Sequence, residues 1–168
     1  MMLVLIGYRG TGKSTVGKRL ASHLGLRYLS MDKEIEKRAE LTIPQIVERF
    51  GWDRFRDLES ALARELGDSD DLVLDTGGGV VERPENLPSL KAKAKVIWLK
   101  ASTETVVARI SHGTHRPALT AGKSFTEEVA EILERRTPLY RAAAHYEVDT
   151  DDRTPLQVVE EILKLLGR

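Results

Sequence analysis

Gly7, Gly12, Lys13 and Ser14 fall at the spacing of a phosphate-binding loop, in the stretch GYRGTGKS, with Gly10 and Thr11 between them and Thr15 after them. Glycines let such a loop wrap so that several backbone N–H groups point at phosphate oxygens, and the dipole of the following helix adds positive potential. Lys13 supplies a compact positive charge, and the Ser14 hydroxyl offers an oxygen to magnesium. Nucleotide binding is the chemistry this pattern implies. The glycine spacing is not the G-x-G-x-x-G of a dinucleotide fold.

Other groups must decide what the nucleotide is for. Asp32 follows an apolar strand, which sets its carboxylate at the C-terminal edge of a sheet, where open α/β folds bind ligands; as a first-turn acid it would also satisfy helix donors. Arg56 lies three residues before Glu59, a helical spacing that aims a guanidinium for two-point capture of a carboxylate, or else makes a surface ion pair. Arg116 and Arg136 are isolated arginines with the same two readings. In LVLDTGGGVV, residues 72–81, a strand runs into Asp75 and then Gly77, Gly78 and Gly79, where a close approach to the backbone is expected.

These residues need a frame. Short apolar runs LVLI, LRYLS, LVLD, KVIWL and YEVD alternate with amphipathic segments, the pattern of a parallel sheet with crossover helices, an α/β fold. Val16, Leu20 and Leu24 form the buried stripe of the helix that leaves the phosphate loop. Thr42, Ser124 and Thr154 each precede a Glu or Gln by three residues, as in a capping box, and Gly25, Gly51, Gly67 and Gly167 stand where helices should stop. Residues 111–124, SHGTHRPALTAGKS, have the composition of a long loop, expected to be a lid.

With 168 residues, of which 41% are hydrophobic, the chain fits one domain. Its 26 Lys plus Arg balance 26 Asp plus Glu, so no broad basic field favours nucleic acid or an anionic membrane. The absence of cysteine excludes disulfides, thiolate catalysis and cysteine-ligated zinc. The opening MMLVLIG is too short to be the core of a signal peptide and no run spans a bilayer, so a cytoplasmic protein, expected as a monomer, is the reading.

Taken together, GYRGTGKST, MDKEIEKRAELTIPQI, GWDRFRDLE, DTGGGVV, HRPAL and RRTPLYRAAAHYEVDT resemble the shikimate kinase family across nearly the whole chain. The resemblance implies a three-layer fold with a five-stranded parallel sheet, like that of phosphate-loop NTPases and nucleoside monophosphate kinases, with a substrate-binding region near 31–62 and a mobile lid near 111–124. It implies ATP-dependent phosphorylation of shikimate at its 3-hydroxyl, on the route to chorismate and the aromatic amino acids, with magnesium. On matching positions Asp32 would meet the acceptor hydroxyl, and Arg56 and Arg136 the shikimate carboxylate. Gly77, Gly78 and Gly79 would lie against its ring. Lys13 and Arg116 would meet the transferring phosphoryl group, Ser14 would help hold magnesium, and Arg109 and Pro155 would flank adenine.

Two departures from the family stand out. Its usual Asp-x-Asp after the second strand is Ser30-Met31-Asp32 here, so the first acid, which assists magnesium, is missing. Asp75 ends the third strand where the family more often has a small or neutral residue; it either takes over magnesium's outer shell, leaving Ser30 to bond a metal-bound water, or caps the next turn. Trp52 stands where relatives often carry an acid and is expected to pack. A gluconate-type kinase, a nucleoside monophosphate kinase and an ATP-binding regulator without catalysis remain alternatives. His112 and His115 fall in the lid, His23 and His145 have the pattern of helix-surface residues, and Trp98 that of core.

Overall fold

The computed structural model describes residues 1–110 and 124–168. The expected lid, with His112, His115 and Arg116, therefore lies outside the described residues, apart from Ser124.

All five apolar runs are strands: β1 (Met2–Ile6), β2 (Arg27–Ser30), β3 (Leu72–Asp75), β4 (Ala94–Lys100) and β5 (Tyr146–Asp149). They pair in parallel in the order β2-β3-β1-β4-β5, with β1 buried at the centre. The strands β1 and β3 are apolar almost throughout because helices cover both faces. Alternation then sorts side chains: Leu3, Leu5 and Val73 face one layer with α1 (Lys13–Leu24) and α8 (Pro155–Leu165), while Met2, Val4, Ile6, Leu72 and Leu74 face the other. The second layer includes α2 (Met31–Ala39), α3 (Ile43–Phe50), α4 (Trp52–Leu66) and α5 (Asn86–Lys91). The helices α6 (Thr103–Ile110) and α7 (Phe125–Ala143) pack together around Tyr8, Val106, Val129 and Ile132.

Local chemistry sets the helix ends. Thr42 and Thr154 form full capping boxes with Gln45 and Gln157, and the Ser124 hydroxyl accepts from the Glu127 N–H. Gly25 closes α1 in the left-handed region, at φ 68°. His145 is at the surface as expected but not on a helix: it lies beyond α7, where its N–H donates to Val96 O and its Nδ1 accepts from Val96 N–H at 2.9 Å. It extends the β4 edge just before β5 begins. Among the described residues, no helix is long and apolar enough to cross a membrane.

Candidate active site at the C-terminal edge of the sheet

The phosphate loop joins β1 to α1, with Gly7, Gly10 and Gly12 all at positive φ. A Cβ on Gly7 would also strike the Leu99 carbonyl oxygen, so two constraints require glycine there. Lys13 is buried and folds back over the loop, its Nζ donating to Gly7 O at 2.6 Å and Tyr8 O at 3.0 Å. Arg109 reaches from α6 to Gly10 O and to both oxygens of Thr150. Arg109 and Pro155 line a cleft of about 330 Å³ with Gly10, Thr11, Gly12 and Thr15. The two positions matched to adenine thus meet beside the loop.

The glycine turn after β3 is buried and packs against four charged side chains. A Cβ on Gly77 would lie 2.7 Å from Asp32 Oδ1 and 3.0 Å from Glu59 Oε2, and one on Gly79 would fall on the Arg56 guanidinium. Gly78 has Arg136 Nη1 at 3.4 Å, and Arg9 N and Gly7 O of the phosphate loop at 3.4 and 3.5 Å, from its Cβ position. All three Cβ directions are therefore occupied. They face the protein's own carboxylates and arginines, which the glycines admit to the turn.

Each arginine is held by a carboxylate and by rings. Arg56 Nη1 is 3.0 Å from Glu59 Oε1, a fully buried partner one helical turn on, and the guanidinium lies over Trp52 and Phe55. Trp52 therefore does more than pack, as it covers an arginine. Arg136 donates through Nε to Glu82 Oε1 at 2.8 Å and lies over the Tyr8 ring. Burial opposes its charge, but Tyr140 and Glu82 outweigh that cost and raise its pKa above the ordinary arginine value. Burial pushes the Tyr140 phenol up to about 12, so it stays a donor, and it bonds Gly78 O at 2.5 Å while stacking on Trp98.

At the helix end of the loop, Ser14 Oγ donates to Asp75 Oδ2 at 2.8 Å, and the Tyr28 hydroxyl donates to the same oxygen at 2.6 Å. Burial and the bond to Asp75 raise the Tyr28 pKa above its usual value, which keeps the phenol protonated. Ser30 caps α2 by accepting from Lys33 N–H at 3.3 Å. A hydroxyl backed by a buried carboxylate is a hard-oxygen set suited to magnesium, which keeps several waters and phosphate oxygens of its own.

With this geometry in view, similarity to known proteins is informative. The shikimate kinase family model matches residues 9–167. The chain belongs to the shikimate kinase family. Shikimate kinase from Pseudomonas savastanoi pv. phaseolicola is 43% identical over 165 residues, covering 98% of this chain and 95% of the relative. Shikimate kinase from Acinetobacter baumannii, solved in complex with shikimate, superimposes with a TM-score of 0.93 at 35% identity, covering 99% of this chain and 92% of that one. A gluconokinase from Sinorhizobium meliloti, at 20% identity and a TM-score of 0.65, shares the fold alone.

Within this shikimate kinase fold, the sequence and its family resemblance singled out Asp32, Arg56, Arg136 and the glycines, but not Glu82, Tyr8, Tyr140 or Tyr28. Glu82 and Arg136 are 54 residues apart, which local spacing does not register. Tyr28 had a usable signal: strand alternation sets it and Ser30 on one face of β2, and Ser30 is in register with Asp75.

Proposed function

We propose that this chain transfers the γ-phosphoryl group of ATP to the 3-hydroxyl of shikimate, giving shikimate 3-phosphate and ADP, with residues 1–168 as one kinase domain. The observation that carries this reading is at Gly78, where one Cβ position would lie 3.4 Å from Arg136 Nη1 and 3.4 and 3.5 Å from Arg9 N and Gly7 O of the phosphate loop. A carboxylate held by Arg136 would thus stand next to a nucleotide's terminal phosphate. The family membership and the Acinetobacter relative's complex with shikimate support the acceptor.

Arg56 and Arg136 together would bind the carboxylate and so orient the ring, choosing which hydroxyl faces ATP. Asp32 would align that hydroxyl and accept its proton as the oxygen bonds to the γ-phosphorus and the bond to the β-phosphate oxygen breaks. Lys13 and the loop N–H groups would stabilise charge on the phosphoryl oxygens. Arg116, outside the described residues, keeps the role its motif implies, a cation on the transferring group. Gly10, Thr11, Gly12 and Thr15 would line the phosphates, with Arg109 and Pro155 toward adenine.

Ser14 would hold magnesium, with Asp75 behind it in place of the acid absent at Ser30. The ion would neutralise charge on the β- and γ-phosphates. The bonds that Asp75 makes, to Ser14 and Tyr28, support this outer-shell role over a turn cap. The balanced charge, without a broad basic field for nucleic acid or an anionic membrane, supports small-molecule partners, and the chain is read as a cytoplasmic monomer.

ADP release measured with shikimate, with gluconate and with no acceptor tests the function. Turnover that requires shikimate is expected. Equal release without acceptor, or with gluconate in its place, would refute it.

A further inference from the structure

We propose that Tyr28 is a positioning residue for the magnesium end of the site, holding the Asp75 carboxylate in the orientation that receives the Ser14 hydroxyl proton. The inference rests on the reading that Ser14 and Asp75 serve magnesium, and goes beyond it by assigning a residue from another strand.

The geometry has three parts. Ser14 Oγ and Tyr28 Oη converge on one atom, Asp75 Oδ2, at 2.8 and 2.6 Å, and Asp75 is almost wholly buried. The Tyr28 ring is itself clamped on α1: a Cβ on Gly17 would meet its Cε1 at 3.0 Å, and Lys18 Nζ stands 5.7 Å from its centroid. Ser14 lies in the first turn of the same helix, one turn before Gly17 and Lys18. The residue that orients the carboxylate is thus braced on the helix whose hydroxyl the carboxylate serves.

A serine hydroxyl that offers its lone pair to a cation must send its proton elsewhere. Asp75 is the acceptor for that proton. A carboxylate fixed by one donor can swing about its χ angles, whereas a second donor on the same oxygen holds that oxygen at Ser14. Outer-shell partners of this kind change metal affinity roughly 10- to 100-fold when removed.

Tyr28→Phe keeps the ring on Gly17 and removes only the hydroxyl. The test titrates Mn²⁺, as a magnesium probe, into the full-length protein saturated with ADP, following free Mn²⁺ by electron paramagnetic resonance. Tyr28→Phe is expected to raise the Mn²⁺ Kd about 10-fold while leaving metal-free ADP affinity and the KM for shikimate unchanged. Asp75→Asn should weaken Mn²⁺ at least as much, and the double variant should be no worse than Asp75→Asn, because both act through one carboxylate. Unchanged Mn²⁺ affinity in Tyr28→Phe, or losses that multiply in the double variant, would overturn the inference. An Asp75→Asn protein with full Mn²⁺ affinity would overturn it as well, while leaving the phosphoryl transfer intact. Absence of shikimate-dependent turnover in the unaltered chain would refute the kinase reading alone, since the Mn²⁺–ADP titration needs no acceptor.

Discussion

The Arg56 guanidinium fills the space that a Cβ on Gly79 would need. Gly79→Ala should therefore displace the Arg56 guanidinium rather than the backbone, raising the KM for shikimate about 10-fold or more with little change in the KM for ATP. Gly67→Ala is the contrast, because its Cβ would meet the Ser89 carbonyl oxygen at 2.6 Å. It should lower Tm and leave both KM values alone, and steady-state kinetics beside a thermal melt separate the two.

Arg56→Lys tests the shape of the guanidinium rather than its charge. Lysine cannot form two parallel bonds or lie flat on Trp52 as arginine does. The expected loss is roughly 10- to 100-fold in kcat/KM for shikimate, with ATP binding unchanged by titration calorimetry. Arg56→Ala is a poorer choice, since it would also remove a partner of the fully buried Glu59 and so mix a loss of stability with the loss of binding.

Tyr140→Phe removes the donor to Gly78 O from a fully buried position. Leaving that carbonyl unpaired should cost about 1–3 kcal/mol, a drop of roughly 2–12 °C in Tm. Because Gly78 also adjoins Arg136, the KM for shikimate should rise in the same variant. A lower Tm at unchanged KM would show that the Gly78 turn does not need Tyr140 for binding.

His145 gives a stability effect with a defined sign. Burial, then Lys91 and Lys95, lower its folded-state pKa from the ordinary 6.5, so the native chain prefers it neutral, as an acceptor for Val96 N–H. The unfolded chain takes up the proton first as pH falls. This contribution is complete above pH 6.5 and is lost as pH drops from there to the folded-state value. Tm followed from pH 7.5 to 5 should fall less steeply in His145→Gln, and parallel slopes would refute the assignment.

Much of this molecule is determined by neighbours in sequence. The phosphate loop is contiguous, so its glycines, Lys13 and Ser14 carry their chemistry in their spacing; the strands show themselves by unbroken apolar runs, and Thr42, Ser124 and Thr154 mark helix starts through bonds spanning three residues. Arg56 with Glu59 belongs to the same class, one helical turn. The tertiary structure alone decided what the glycine turn admits, which carboxylate holds Arg136, and which donors share Asp75. Those contacts join residues 47 to 61 positions apart for Asp75 and 54 for Arg136. They arise because the sheet places β3 between β1 and β2, which carries Asp75 to the start of α1 and within reach of Tyr28. Local periodicity gives the face of each strand; the order of strands fixes which side chains meet across it.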